Sequence, residues 1–269
     1  MKKPFLLTAF SVSYLLAGVP RVQAAVIFDD TTGFAGWYKG GSSGTLTKGS
    51  TLAWTENSTT SGYEVIGRSF VGSTIAIGET ITLTFDWTQS SATVDIIRAG
   101  LYNIGGTLTA DSWAGANGST PGSIGTFEGY YSFLRDSGAG KEARIDSGNN
   151  TGNTNAPVIL AGTNIGTNTT NVNLTDNGTV TYQVLFSVTR TSASQVATLF
   201  DIRSGLTSVL SVAGNQTTGT TFSTFDSAFI RSSGGTMTLD NIKLSVVPEP
   251  SQHILAAIGL ASLAFRRRR

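Results

Sequence analysis

The chain of 269 residues carries 18 Lys+Arg against 17 Asp+Glu, 32 Gly, a single His and no Cys. Without thiols it has no disulfide, zinc-thiolate, iron–sulfur or cysteine-nucleophile chemistry, and with its one imidazole at His253 the body has neither a Ser-His-Asp triad nor a histidine-ligated metal. Seven of the basic residues sit at the two ends, so Ala25 to Val247 holds 11 basic and 16 acidic residues, a net of −5, and lacks the basic stripe that nucleic acid requires.

Lys2 and Lys3, an apolar run from Phe5 to Val19, and Val22-Gln23-Ala24 before Ala25 supply the charged, apolar and small-residue regions of a secretory signal peptide. Residues 1–24 are therefore expected to form a signal helix that signal peptidase removes between Ala24 and Ala25. An uncleaved N-terminal anchor is the alternative, although the run between Pro4 and Pro20 is short and polar for a bilayer span. The mature chain is expected outside the cytoplasm, stabilised by burial alone.

From Ala25 to Val247 the apolar residues alternate. Ile81, Leu83, Phe85 and Trp87 take every second place, with Thr82, Thr84 and Asp86 between them; Val180, Tyr182, Val184, Phe186 and Val188 repeat the pattern. Period-two spacing puts one face on a core and the other in water, as in antiparallel sheets. Further strands are expected near 25–29, 51–56, 63–70, 93–102, 130–134, 157–161, 195–202, 206–213, 225–231 and 236–247. Clusters such as Gly40-Gly-Ser-Ser-Gly44, Ser147-Gly-Asn-Asn-Thr-Gly152 and Asp176-Asn-Gly178 are expected to separate them. The fold class is all-β: a single large antiparallel β-sandwich over 25–247, jelly-roll or lectin-like. Two smaller sandwiches split within 146–156, or a β-helix, are the alternatives.

Glycoside hydrolysis survives the missing imidazole, since it requires only two carboxylates, about 5–5.5 Å apart for retention or roughly 6.5–9.5 Å for inversion. Glu64, Glu79, Asp95, Glu128, Glu142 and Asp146 are available but form no suggestive cluster, and Glu142-Ala-Arg-Ile-Asp146 spaces its carboxylates unlike a Glu-x-Asp-x-Glu strand. Arg98 and Tyr102 are the pair a Tyr/Arg polysaccharide lyase would use. Sugar binding instead asks for exposed rings, and Trp37, Trp54, Trp113, Tyr130 and Tyr131 are candidates. Trp54 and Trp87 fit inward strand positions, which leaves Trp113, in a Gly- and Asn-rich loop, and Trp37 as the candidate ligand contacts. No catalytic residue is assigned.

In the last strand, Met237 and Leu239 alternate in one phase and Ile242, Leu244 and Val246 in the other, so a β-bulge is expected at Asp240-Asn241. The ending Leu239-Asp-Asn-Ile-Lys-Leu244 is similar to the final strand of carbohydrate-binding jelly-roll sandwiches. That resemblance implies a structural calcium ion held by Asp240 with Asp29 or Asp30, the only cofactor suggested; hard oxygen ligands suit it. The alternative is that Asp240 and Asn241 cap the bulge and Asp29-Asp30 begin a loop.

The C-terminus follows. Pro248 and Pro250 stop the strand and force an extended hinge. An apolar stretch from Ile254 to Phe265 then leads into Arg266, Arg267, Arg268 and Arg269. A helix over 251–265 would be about 22 Å long, short for a ~30 Å hydrocarbon core unless the bilayer thins or arginine stems snorkel. The arginines mark the cytoplasmic side of a single transmembrane helix. Val247-Pro248-Glu249-Pro250-Ser251, the apolar helix and the arginine cluster resemble the PEP-CTERM sorting signal, with Pro248, Glu249 and Pro250 as its name-giving triplet; an ordinary tail anchor with a proline hinge is the alternative. The resemblance covers only 248–269. It implies an exported protein of a Gram-negative bacterium, an exosortase-type processing enzyme and the inner membrane as partners, and an exopolysaccharide setting. The expected function is that of a structural or carbohydrate-associated, non-enzymatic protein of the cell surface or extracellular matrix. A secreted polysaccharide-active hydrolase or lyase is the alternative.

Overall fold

The computed structural model describes residues 24–40, 44–55, 65–90, 96–111, 126–136, 141–151, 162–168, 174–175, 177–233 and 235–248. Among these, the chain forms fifteen strands and no helix, all paired antiparallel. The first sheet runs β13 (Thr207–Gln216), β12 (Val196–Ser204), β11 (Tyr182–Arg190), β6 (Thr80–Gln89), β15 (Thr236–Val247), β4 (Leu52–Thr55) and β3 (Thr45–Lys48). β1 (Ala25–Asp30) joins it on β15, beyond the stretch that β4 occupies. The second sheet runs β10 (Thr163–Asn168), β9 (Lys141–Thr151), β8 (Thr126–Asp136), β7 (Ile96–Asn103), β14 (Thr224–Ser233), β5 (Ile66–Thr74) and β2 (Trp37–Lys39).

Alternation explains why these segments pair. In β6, Ile81, Leu83, Phe85 and Trp87 are buried while the intervening threonines and Asp86 face outward. They meet Ile97, Ala99, Leu101, Tyr130 and Ile230 of the second sheet in one core. The outer positions pair as threonines across strands: Thr80 with Thr189 at 2.7 Å and Thr88 with Thr181 at 3.0 Å. Such cross-strand pairs each contribute some 0.2–1 kcal/mol. Strands from early and late sequence interleave in both sheets: β6 lies between β11 and β15, and β14 between β7 and β5. A division within 146–156 is thus not what the described residues form.

Two polar nodes tie the sheets together through the core. Gln89, at the end of β6, accepts from the Ser232 hydroxyl of β14 at 2.7 Å. The buried Tyr130 hydroxyl donates to Gln216 Oε1 at 2.7 Å and accepts from the Phe222 N–H at 3.0 Å. Burial pushes the Tyr130 phenol from its ordinary value of 10.0 up to about 12. Burial chiefly, reinforced by Asp146, raises Tyr131 too. A phenol raised on folding contributes stability that is complete below the unfolded value and is lost as pH climbs toward the folded one. Urea unfolding is therefore expected to lose about 1 kcal/mol per tyrosine, roughly 2 kcal/mol in all, between pH 9 and pH 11; Tyr130→Phe should flatten part of that slope.

The β15 bulge falls where the alternation slips. Asp240 pairs with Asp86 and Lys243 with Thr84, so β15 has one residue more than β6 between these pairs, and Asn241 takes the left-handed conformation at φ 50°. Its side chain donates across the sheet to Asp86 at 2.7 Å, which ties the bulge to β6. Other expectations change. Residues 147–151 of the expected Ser147 to Gly152 separator belong to β9, where Gly148 lies opposite Gly129 and the backbone ladder carries the pairing. β2, β3, β9 and β10 carry too little apolar alternation to be foreseen. The expected strand at 157–161 and the signal and tail helices lie outside the described residues.

Candidate functional site

The second sheet also carries a smaller apolar cluster on the side away from the first. Val65, Tyr102, Ile104, Leu108, Phe127, Tyr131, Phe133 and Phe229 form it, and none belongs to the inter-sheet core. Register explains the segregation. Ser227, Phe229 and Arg231 of β14 lie opposite Tyr102, Gly100 and Arg98 of β7. Gly100 and Arg98 in turn lie opposite Tyr131 and Phe133 of β8, and these opposite Asp146 and Arg144 of β9. Directly paired residues share a face, so one face of four strands carries rings, three arginines and a carboxylate.

Half of that face is covered by the chain itself. From Ile104 to Asp111 the segment after β7 crosses β14 and β5 toward β2. The Ile104 N–H donates to Asp226 at 2.8 Å, the Leu108 N–H to Ser69 Oγ at 2.9 Å, and Asp111 accepts from the Lys39 N–H at 3.0 Å. Tyr102, Phe127 and Phe229 pack edge to face beneath it. Gly67 is required here, since a Cβ would come within 2.5 Å of the Phe229 ring.

The other half is arginine-dominated and half-exposed. The Arg98 and Arg144 guanidiniums flank the Phe133 ring at 5.2 and 5.3 Å from its centroid, and Phe133 stacks on Tyr131. Asp146, fully buried, accepts from Arg144 Nε at 2.5 Å, Arg144 Nη2 at 2.6 Å and the Tyr131 hydroxyl at 2.9 Å. That carboxylate holds the Arg144 guanidinium above its ordinary range. Arg231 and Arg98 lie directly opposite each other, so their guanidiniums share this face with that of Arg144.

The residues singled out from sequence are distributed otherwise. Trp37 is fully buried, edge-on to Phe28, with its indole N–H donating to Asp30 at 2.8 Å; it is a core residue and not a contact surface. Trp54, Tyr130 and Tyr131 are buried as well. Trp113, Glu64 and Asp95 lie outside the described residues, as do Glu249, Pro250 and Arg266 to Arg269; Ala24, Ala25 and Pro248 stand at the two ends of the described body. Glu79 accepts from the Ala76 N–H in the turn before β6. The arginine face was missed because its members come from three strands distant in sequence; only Arg98 and Tyr102 shared a segment.

The calcium set does not fit. Asp30 is inward and bonded to Trp37 and the Arg68 guanidinium, Asp29 is outward and paired with Lys243 Nζ at 2.9 Å, and Asp240 accepts from the Asn241 N–H. Among the described residues no three Asp, Glu or His side chains gather as metal ligands would. The β1 carboxylates are neutralised by cations of β5 and β15 instead.

At the C-terminus, β15 ends at Val247 and the sequence continues into the Pro-Glu-Pro segment. Residues 246–269 carry the PEP-CTERM protein-sorting motif. The motif implies export, membrane anchoring through the C-terminus and processing by an exosortase-type enzyme. No curated protein matches the chain. By fold it is similar to a Bacillus subtilis protein of unknown function with a galectin-like fold, at TM-score 0.50 and 10% identity over 84% of this chain and 98% of that one. An endo-1,3-beta-glucanase from Streptomyces sioyaensis matches at TM-score 0.45 and 13% identity, covering 85% and 98%. The potassium-bound carbohydrate recognition domain of Emp46p matches at TM-score 0.44 and 10% identity, covering 80% and 89%. The body is thus a galectin-like sandwich ahead of a PEP-CTERM tail.

Proposed function

We propose that this PEP-CTERM protein works at the cell surface or in the extracellular matrix as a non-enzymatic binder of acidic polysaccharide. The observation that carries the reading is the pairing of Arg98 with Arg231 beside Arg144 on the outer face of the galectin-like second sheet. Guanidiniums bind carboxylates in a planar, two-pronged way, and uronate or otherwise anionic sugars place carboxylates along a chain. The body's net −5 would repel such a polymer elsewhere.

Calorimetric titration of residues 25–247 with a polyuronate and with a neutral glucan tests it. The polyuronate is expected to bind and the neutral glucan not, and Arg98→Ala with Arg231→Ala should weaken binding at least tenfold, about 1.4 kcal/mol or more. Equal binding of both polymers, or none of either, contradicts the reading.

A lyase is the second reading, favoured by the register that places Arg98 and Tyr102 on one face. Tyr102 is packed beneath Phe127 and Phe229 at 1% exposure, a poor position for a proton-transfer group that must reach a polymer. New unsaturated or reducing ends after incubation with the polyuronate would favour the lyase over the binder.

A further inference from the structure

The register brings Ala25 and Val247, near the two ends of the described body, to one corner of the first sheet. Ala25 lies opposite Val246, and Val247 lies opposite Thr80. The turn from Ile75 to Glu79 closes the same corner. Its Gly78 N–H donates to the Arg190 carbonyl at 2.7 Å, and the Arg190 N–H donates to the Glu79 carbonyl at 3.1 Å. Three of the five large apolar side chains exposed among the described residues belong here: Val26 at 50%, Ile77 at 59% and Val247 at 39%. Leu206, fully exposed, tips the β12 to β13 turn at the opposite pole, where Ser204 pairs with Thr207. Val71 rides the irregular stretch of β5 opposite Phe225 to Ser227.

The tail limits where this corner can go. Six residues, 248–253, separate Val247 from Ile254, where the apolar run begins. Fully extended, six residues reach no more than about 20 Å, and a headgroup layer of roughly 6 Å must be crossed within that reach. With the tail inserted, the corner is therefore held against the membrane while β15, twelve residues long, carries the opposite pole about 40 Å away.

We propose that this corner is a lipid-docking surface, with Val26, Ile77 and Val247 seated in the headgroup region of the bilayer that holds the tail. The proposal concerns the chain while its tail is uncut, rests on C-terminal anchoring and is independent of the glycan reading. The charged groups near the corner are held by the protein itself: Asp29 is paired with Lys243, the Glu79 carboxylate accepts from the Ala76 N–H, and the Arg190 guanidinium donates to the Ile75 carbonyl. A short tether acts as a millimolar effective concentration, so a contact too weak to bring the detached body to vesicles is occupied in the anchored chain. Docking at this corner directs the far pole, and the Arg98 and Arg231 end of the second sheet with it, away from the membrane.

The chain has no Cys, so single labels report position cleanly. Residues 25–269 carrying Ile77→Cys or Leu206→Cys, each labelled with an environment-sensitive fluorophore, are reconstituted in nanodiscs of phosphatidylethanolamine and phosphatidylglycerol. Nitroxide-headgroup lipid is then added to quench the label. Quenching at position 77 is expected to exceed that at 206 at least threefold and to persist at high salt. Equal quenching at both positions in discs that retain the protein overturns the corner alone, and leaves its apolar side chains to a protein partner. A chain that fails to co-migrate with the discs overturns the anchoring on which the proposal stands.

Discussion

Asp146→Ala is expected to destabilise the fold by about 3 kcal/mol, the low end for removing one partner of a buried ion pair. The carboxylate is fully buried and receives three hydrogen bonds, two from Arg144 and one from Tyr131. Its loss removes the acceptor of the Tyr131 hydroxyl and the carboxylate that neutralises Arg144. The Arg144 side chain is a quarter exposed, so water recovers part of the cost and the upper end of the range is not reached. Denaturant unfolding at pH 7 measures the difference. Asp146→Asn, which keeps the acceptor to Arg144, should lie between the two. A variant as stable as the parent would show that β8 and β9 are held by their backbone ladder alone.

Trp37→Ala is expected to cost about 4 kcal/mol, within the range for emptying a large aromatic site in a core. The ring is fully buried, meets Phe28 edge to face at 6.3 Å, and its N–H satisfies Asp30. Arg68 stays bonded to that carboxylate and stacked at 4.2 Å over Phe28, which limits the added penalty for the lost donor. The melting temperature should fall by several degrees, while polyuronate affinity at a temperature where the variant is folded should not change. A large loss of affinity at unchanged stability would place Trp37 at a ligand after all.

What the sequence shows of this fold follows from how strongly each segment's environment is one-sided. β6 and β15 sit in mid-sheet with one face on the core, so Ile81 to Trp87 alternate strictly, and the phase slip at Asp240-Asn241 marks the bulge seen at Asn241. β9 reads as a turn cluster because Ser147, Gly148, Asn149 and Asn150 have turn chemistry, yet all four pair with β8, and Ser147 with β10 as well. Trp37 follows Gly36 in a short segment with no alternation to reveal its direction; the Asp30 acceptor and the Phe28 ring fix it inward. Asp29 and Asp30 are adjacent in sequence but on opposite faces of β1, a separation that any strand imposes and that defeats a shared ion. The arginine face is invisible in one dimension because each arginine looks like an ordinary outward strand residue until register sets Arg98 beside Arg231.

Export is the premise for both the glycan face and the membrane corner, and cell fractionation tests it most directly. Parent chain and a variant with Pro248, Glu249 and Pro250 all replaced by alanine are followed by a label within 25–247, with N-terminal sequencing of what is recovered. The parent is expected to begin at Ala25 and to be released from the envelope, and the variant to begin at Ala25 but stay membrane-bound at full length. Recovery of the parent from the cytosol with residues 1–24 still attached would contradict the account.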